Sequence, residues 1–349
     1  MHVLCYGAGS VGSLVGGRLS ESGAASVTLL ARRNHVAAIR TWGLVLEGPS
    51  GRTVCKGADS ITSLDDLTSP PDLVILTVKA YQTSDALADL RDFLARGIPI
   101  LSLQNGVGNE DLIAAAAPAA RVLAGAITLS VSVVRPGVVR QQTGGGGIAV
   151  APAGGSGDSG AGDLAALFQR AGFRAETKGD YRALKWSKLL LNLIANASSA
   201  ILGLPPAAIV QDPRVFHLER EAFREAVRVM RALGLRPVAL PGYPVPLLAR
   251  IMDGPEWLGR VVLSNRIGRG RGDKMPSLWE DLERGRARSE VEVLNGAVAR
   301  EGARLGIPTP VNTLLTEVLL SLASGARDRG AFRQNPGALV SLQAGVAPA

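Results

Sequence analysis

Two kinds of apolar pattern divide the chain. Up to about residue 178, short apolar runs of strand length alternate with longer helical stretches. The runs include HVLCY at the N-terminus, SVTLLARR at 26–33, PDLVILTVK at 71–79 and IPILSLQNG at 98–106. Apolar runs of this length bounded by Gly, Pro or polar turns read as buried strands, and stretches apolar at every third or fourth position read as helices. Strand and helix in repeated alternation predict an open α/β sheet. Between Val122 and Pro152, ITLSVSVV and GVVRQQTGGGGIAVAP read as further strands; GGSGDSGAG at 154–162 reads as a flexible loop, and DLAALFQRAGF as a short amphipathic helix closing this half.

From Tyr181 onward the pattern is mostly helical. RVFHLEREAFREAVRVMRALG at 214–234 is strongly amphipathic and stops at Gly234, LWEDLERGRARSEVEVLNGAVAREGARLG at 278–306 carries helical periodicity with Gly285 and Gly296 interrupting it, and TPVNTLLTEVLLSLA at 309–323 follows. The boundaries predicted are a nucleotide-binding α/β domain over 1–178, a helical domain over 179–326 and a Gly, Pro and Ala rich peripheral tail over 327–349.

One helical stretch breaks the simple pattern. In KWSKLLLNLIANASSAILGL, 185–204, Lys188, Asn192 and Asn196 recur every four residues and so line one stripe of a helix running to Pro205. The other faces are Leu, Ile and Ala. A helix apolar on nearly every side is buried, and a buried ammonium with two amides is costly unless something pairs with them.

Composition narrows the class. A length of 349 residues fits two domains, and 46% hydrophobic residues suffice for real cores. The formal charge of +8 fits a nucleic-acid binder as well as an enzyme for anionic small molecules. The densest basic run, NRIGRGRGDK at 265–274, has no interleaved aromatics to stack bases, so a nucleic-acid function is not expected. Two cysteines, Cys5 and Cys55, without CxxC spacing indicate neither a disulfide framework nor a zinc site, and a reducing cytoplasm is the default expectation. Glycines interrupt the first apolar stretch, which argues against a signal peptide, and the 185–204 stretch is too polar for a bilayer.

Within the first half, the strand HVLCY runs into Gly7-Ala8-Gly9-Ser10-Val11-Gly12 and then a helix, the context that a dinucleotide fingerprint requires. The first glycine permits the tight turn, the second lets the backbone approach a pyrophosphate, and the third lets helix and strand pack closely. After the second strand, an NAD reader would carry Asp or Glu for the ribose 2′-hydroxyl; this chain has Arg32 and Arg33. Arginine pairs with a 2′-phosphate, so the reading is NADP(H), the alternative being arginines solvated at a strand end. Ligands of open α/β sheets sit outside the carboxyl ends of strands, where Lys79 and Gln104-Asn105-Gly106 fall. Lys79 could equally be a solvated loop lysine, and Asn105 a turn former before Gly106. In DKMPSLWEDLERGRARSEVEVLNG, 273–296, Ser277 and Glu290 stand out, because a carboxylate is what a buried Lys188 needs; an ordinary surface glutamate is the competing reading.

Taken together these residues resemble the ketopantoate reductase (2-dehydropantoate 2-reductase) family. The matching pieces are GAGSVG, LTVKAYQ, LQNGVGNE, KWSKLLLNLIANASSA with its W-x-K-L-x-x-N-x-x-x-N spacing, MPSLWEDLERGRARSEVEVLNG and GIPTPVNTLL, in order from residue 3 to about 315. The resemblance implies a Rossmann-type α/β domain followed by an all-α domain of the 6-phosphogluconate dehydrogenase C-terminal kind, with the active site in the cleft between them. It implies NADPH-dependent reduction of a 2-keto acid, in that family ketopantoate to (R)-pantoate on the route to coenzyme A.

Carried over by motif, Lys188 is the general acid and Glu290 completes the catalytic pair, the substrate pocket and the cofactor contact. Asn192, Asn196 and Ser277 hold substrate, Asn105 bridges substrate and cofactor, and Lys79 and Arg32 serve the cofactor with the glycine loop. The chemistry is consistent: hydride attack on a C2 carbonyl builds negative charge on oxygen, which a cation can stabilise and protonate. No metal is required. His2, His35 and His217 lack any partner pattern and are expected at the surface or in packing. Two departures matter: the segment 235–274 is longer than in compact members and could reshape the pocket, and Lys185 lies three residues before Lys188 on a shared face. The readings kept beside this one are a reductase for another 2-keto acid and a non-catalytic NADP-binding protein. Oligomeric state, a homodimer included, is not legible in the sequence.

Overall fold

β1 (His2–Tyr6) ends where Gly7 begins the first turn, and the helix Ser10–Glu21 returns along the sheet. In a computed structural model of the chain, which describes residues 1–49, 51–154, 160–270 and 274–344, eleven more strands follow. They are β2 (Ser26–Leu30), β3 (Leu44–Gly48), β4 (Gly51–Cys55), β5 (Asp59–Ile61), β6 (Leu73–Leu76), β7 (Ile100–Ser102), β8 (Val122–Ile127), β9 (Val131–Arg135), β10 (Val138–Gln141), β11 (Ile148–Pro152) and β12 (Ala175–Thr177). Eight form one sheet in the order β12-β11-β8-β7-β6-β1-β2-β5, parallel except for the antiparallel β11–β8 pair. The strand order turns at β1, which pairs with β2 on one side and β6 on the other. That is the switch point at whose carboxyl edge an open sheet binds ligands. A second, four-stranded sheet in the order β4-β3-β10-β9 was not foreseen as separate; the alternation of 122–152 gave strands but not their sheet.

The parallel strands read as unbroken apolar runs because both faces are covered. Val3, Cys5, Val27, Leu29, Ile75 and Leu101 pack into one cluster, and Leu4, Tyr6, Val74, Leu76 and Ile100 into another. Burial pushes the Cys5 thiol up to about 12, so it is an inert core residue.

The chain divides into two compact units. The first comprises residues 1–104, 108–185 and 240–243; the second, all helical, comprises 105–107, 186–239 and 244–349. The division thus falls inside the helix Tyr181–Leu193, after Lys185. Within the 235–274 segment, Pro241 lends its carbonyl to Thr128 Oγ1 at 2.8 Å in the first unit. The helices Val245–Asp253 and Glu256–Gly270 belong to the second; residues 271–273 of the basic run lie outside the described residues, as do 155–159 of the glycine-rich loop.

Two expectations are corrected and a third holds in part. The 185–204 stretch is not one helix: it stops at Leu193 and restarts as Ala197–Leu202, with Ala195 at φ +49° between. The 278–306 stretch does break near Gly285, which takes φ +65° after the helix Ser277–Glu283, and continues as a 3₁₀ turn at Glu290–Val293 and the helix Asn295–Leu305; Gly296 lies buried inside that last helix and does not interrupt it. The tail is not merely peripheral: the helix Pro336–Ala344 buries Leu339, and the Gln334 N–H donates to Leu202 O at 2.8 Å.

Candidate active site

The glycine loop shows what each glycine is for. Gly7 sits at φ +93°, and a Cβ there would lie 2.5 Å from Val78 Cγ1 on the neighbouring strand end. At Gly12 a Cβ would strike Thr77 Oγ1 at 2.5 Å. At Gly9 the nearest atom would be 3.8 Å away, so packing does not demand this glycine. The backbone of Gly9 is open at the start of the helix Ser10–Glu21, which no side chain caps and whose first turn carries no carboxylate. Uncapped N–H groups and absent side chains are what a pyrophosphate needs, so the residues fit a dinucleotide. The Gly7 and Ala8 N–H groups donate to Leu30 O at 3.2 and 2.7 Å, fixing the loop to the end of β2.

Two residues beyond β2, Arg32 is exposed at the N-cap of the helix Arg33–Trp42, and Arg33 is exposed beside it. His35 is buried in this helix. Its Nδ1 accepts the Gly137 N–H at 3.1 Å, which leaves the proton on Nε2, 3.0 Å from Ser13 Oγ; that hydroxyl donates to Ala8 O. Burial lowers the His35 pKa, so a neutral imidazole braces the glycine loop. It is a packing residue, as are the more exposed His2 and His217 surface ones.

Lys79 is half-buried after β6. The Gln104 side chain ties that loop to its own, donating to Val78 O at 3.0 Å and to Thr83 Oγ1 at 2.8 Å. The Gln104 carbonyl in turn receives the buried Lys185 ammonium at 2.6 Å. Lys185 also reaches Gly125 O at 3.3 Å and pairs with Glu110 at 2.9 Å, and it is 3% exposed. The fully buried lysine of the helix is therefore Lys185, committed to two carbonyls and a carboxylate, whereas Lys188, expected to be buried, is half-buried one turn on.

In the second unit three asparagines form a chain. The Asn192 amide donates to Asn105 Oδ1 at 3.3 Å, and the Asn196 amide donates to Asn192 O at 3.0 Å. With its Nδ2 so used, Asn196 is 7% exposed and its Oδ1 accepts no hydrogen bond among the described residues. A buried acceptor without a donor calls for a partner, which a bound ligand or a water can supply. Gly106, at φ +84°, lies against Val293, and a Cβ there would come within 2.6 Å of the Val293 side chain and carbonyl. The Val107 N–H donates to Val293 O at 3.3 Å, which fastens the Asn105 turn to the 3₁₀ turn that begins with the buried Glu290. Ser277 is exposed as the first residue of its helix.

Two residues escaped the sequence reading. One is the clamp role of Lys185. The other is Glu219, whose position in the apolar stripe between Val215 and Ala222 was a legible signal that it faces inward.

Family and relatives are identified across nearly the whole chain. The family models described as ketopantoate reductase PanE/ApbA and its C-terminal part match residues 3–155 and 180–323. The 2-dehydropantoate 2-reductase of Halobacterium salinarum is 31% identical over 91% of this chain and 98% of its own. A PanE/ApbA family ketopantoate reductase from Ralstonia eutropha superposes with a TM-score of 0.79 at 32% identity, covering 93% of this chain and 99% of that one. D-mandelate dehydrogenase, solved with NADH and anilino(oxo)acetate, shares the fold with a TM-score of 0.80 at 23% identity, over 93% and 99% of the two chains. Among the described residues no helix is long and apolar enough to cross a membrane.

Proposed function

From the premise that the chain belongs to the ketopantoate reductase family, and is an oxidoreductase using a nicotinamide cofactor, we propose that it reduces ketopantoate to (R)-pantoate with NADPH. The observation that carries the choice of substrate is the buried, donorless Oδ1 of Asn196 at the end of the asparagine chain. A keto acid bearing a hydroxyl supplies the missing donor, and a plain alkyl keto acid leaves the oxygen unpaired at a cost of about 1–3 kcal/mol.

The residues divide the work as follows. Gly7 to Gly12 hold the pyrophosphate on the helix N-terminus, Arg32 pairs with the 2′-phosphate, and Lys79 and Asn105 complete the cofactor contacts. NADPH, when bound, supplies the hydride. Lys188 stabilises the negative charge that grows on the substrate's C2 oxygen and delivers the proton there, with Glu290 as its carboxylate partner. Asn192, Asn196 and Ser277 orient the keto acid so that little motion separates the bound geometry from the reactive one.

The test compares ketopantoate with 3,3-dimethyl-2-oxobutanoate, which replaces the CH₂OH by CH₃, and with 2-ketoisovalerate and pyruvate, by NADPH oxidation. Ketopantoate is expected to lead in kcat/KM by about tenfold to a hundredfold over the analogue without the hydroxyl. Equal turnover of the two sinks the substrate assignment, while binding of NADPH without oxidation by any keto acid returns the chain to a non-catalytic role.

A further inference from the structure

Glu219 is a buried carboxylate that the chemistry above leaves without a task. It lies 5% exposed in the apolar stripe of the helix Pro213–Ala232, and among the described residues no lysine or arginine pairs with it. Such a group is retained at a cost, because burial favours the neutral form. Both of its oxygens go to one short stretch of chain. Oε2 accepts the Ala195 N–H at 2.5 Å, and Oε1 accepts the Ser198 hydroxyl.

Those two donors bracket Asn196. Ala195 holds φ +49°, a conformation that residues other than glycine seldom adopt, and that persists only where the surroundings enforce it. The turn at Ala195 is also what ends one helix at Leu193 and starts the next at Ala197, with Asn196 as its N-cap. In an unbroken helix the Asn196 side chain would stand one turn above Asn192; with the bend, its amide folds back onto the Asn192 carbonyl and its Oδ1 is left without a donor among the described residues.

We propose that Glu219 is a positioning residue: by gripping the chain on both sides of Asn196, it holds the bend that presents Asn192 and Asn196 to one ligand. It touches neither keto acid nor cofactor. The identity of that ligand rests on the reading above; the grip on the bend does not.

The experiment uses the full-length protein with Glu219→Met and Glu219→Gln. Glutamine is isosteric and keeps both contacts, its oxygen accepting from Ala195 and its NH₂ donating to the Ser198 hydroxyl; methionine keeps the volume and loses both. The KM for ketopantoate is expected to rise at least about tenfold in the methionine variant and to stay within about twofold in the glutamine variant, the change expected for lost ground-state contacts. The NADPH dissociation constant, followed by cofactor fluorescence, stays at the wild-type value in both. A second readout is independent of turnover: the side-chain amide NMR signals of Asn192 and Asn196, assigned with Asn→Asp variants, should move in Glu219→Met and not in Glu219→Gln. A methionine variant that only melts earlier, with KM and amide signals at wild-type values, reduces Glu219 to a structural residue and overturns the proposal. If that variant does not fold, Ser198→Ala removes one of the two contacts; an unmoved Asn196 amide signal there overturns it equally. A wild-type protein inactive on every keto acid overturns the keto-acid reading alone, and the amide signals still decide the role of Glu219.

Discussion

Lys185 and Lys188 stand one turn apart on the same helix and differ sharply in burial. Lys185 is almost wholly buried, with its ammonium spent on Gln104 O, Gly125 O and Glu110. Lys188 is half-buried, one turn before Asn192. The lesson is that burial and chemistry are different uses of one residue type. A lysine whose charge is matched on every side holds a fold together, and one that keeps access to a ligand can move a proton. Spacing in the sequence selected Lys188 without showing what Lys185 was for.

Exchanging the two roles is the sharpest test of that contrast. Lys188→Ala is expected to lower kcat by about three to four orders of magnitude, the general-acid contribution and part of the charge stabilisation being lost together. NADPH affinity and Tm should stay near wild type; near-normal turnover breaks the assignment. Lys185→Met should do the reverse. Leaving Glu110 buried without its cation costs about 3–4 kcal/mol of stability, readable in urea unfolding, while the folded fraction keeps measurable turnover. If Lys185→Met unfolds no more readily than wild type, the buried pair is not the brace described.

Glu219 extends the comparison to a buried charge without a cation. Burial pushes its carboxyl up to about 7 from an ordinary value of 4.5, against the pull of the Ser198 and Ala195 hydrogen bonds. The native state then keeps a proton that the unfolded chain releases, so stability falls as pH rises from about 4.5 to about 7 and levels off above that. Relative to Glu219→Gln, which carries no titrating proton, wild type should lose on the order of 2–3 kcal/mol across that window. Parallel pH profiles for the two proteins are the outcome that contradicts a raised carboxyl. The smallest effect is expected at the exposed Arg32. Arg32→Ala should raise the KM for NADPH about tenfold and leave the KM for NADH unchanged, since one solvent-accessible phosphate contact is lost. An equal rise for both cofactors would mean that Arg32 supports the loop rather than reading the 2′-phosphate.

Much of the fold is local and so was legible. A strand, three glycines at fixed spacing and a helix are adjacent in sequence, and the reasons for Gly7 and Gly12 are steric contacts with a strand end that any parallel sheet of this order supplies. The four-residue recurrence of Lys188, Asn192 and Asn196 was equally visible, but its geometry was not. No glycine or proline marks Ala195, and what holds it at positive φ is a carboxylate 24 residues away. The carboxylate partner of Lys185, Glu110, is more distant still in sequence, and the carbonyl that receives the lysine is 81 residues away. The C-terminal helix was misread for a related reason: a Gly and Ala rich composition says little about the surface onto which Leu339 is packed.

By itself, then, the sequence determined most of the succession of strands and helices in the first unit, the glycine cradle, the family and the residue types proposed to carry the chemistry, since each depends on neighbours within a turn or two. Tertiary structure alone decided which lysine is spent on the fold, where the asparagine helix breaks, and that Asn196 offers an unpaired oxygen. Those depend on buried charges and hydrogen bonds between distant segments, which form only when folding removes water from both partners together.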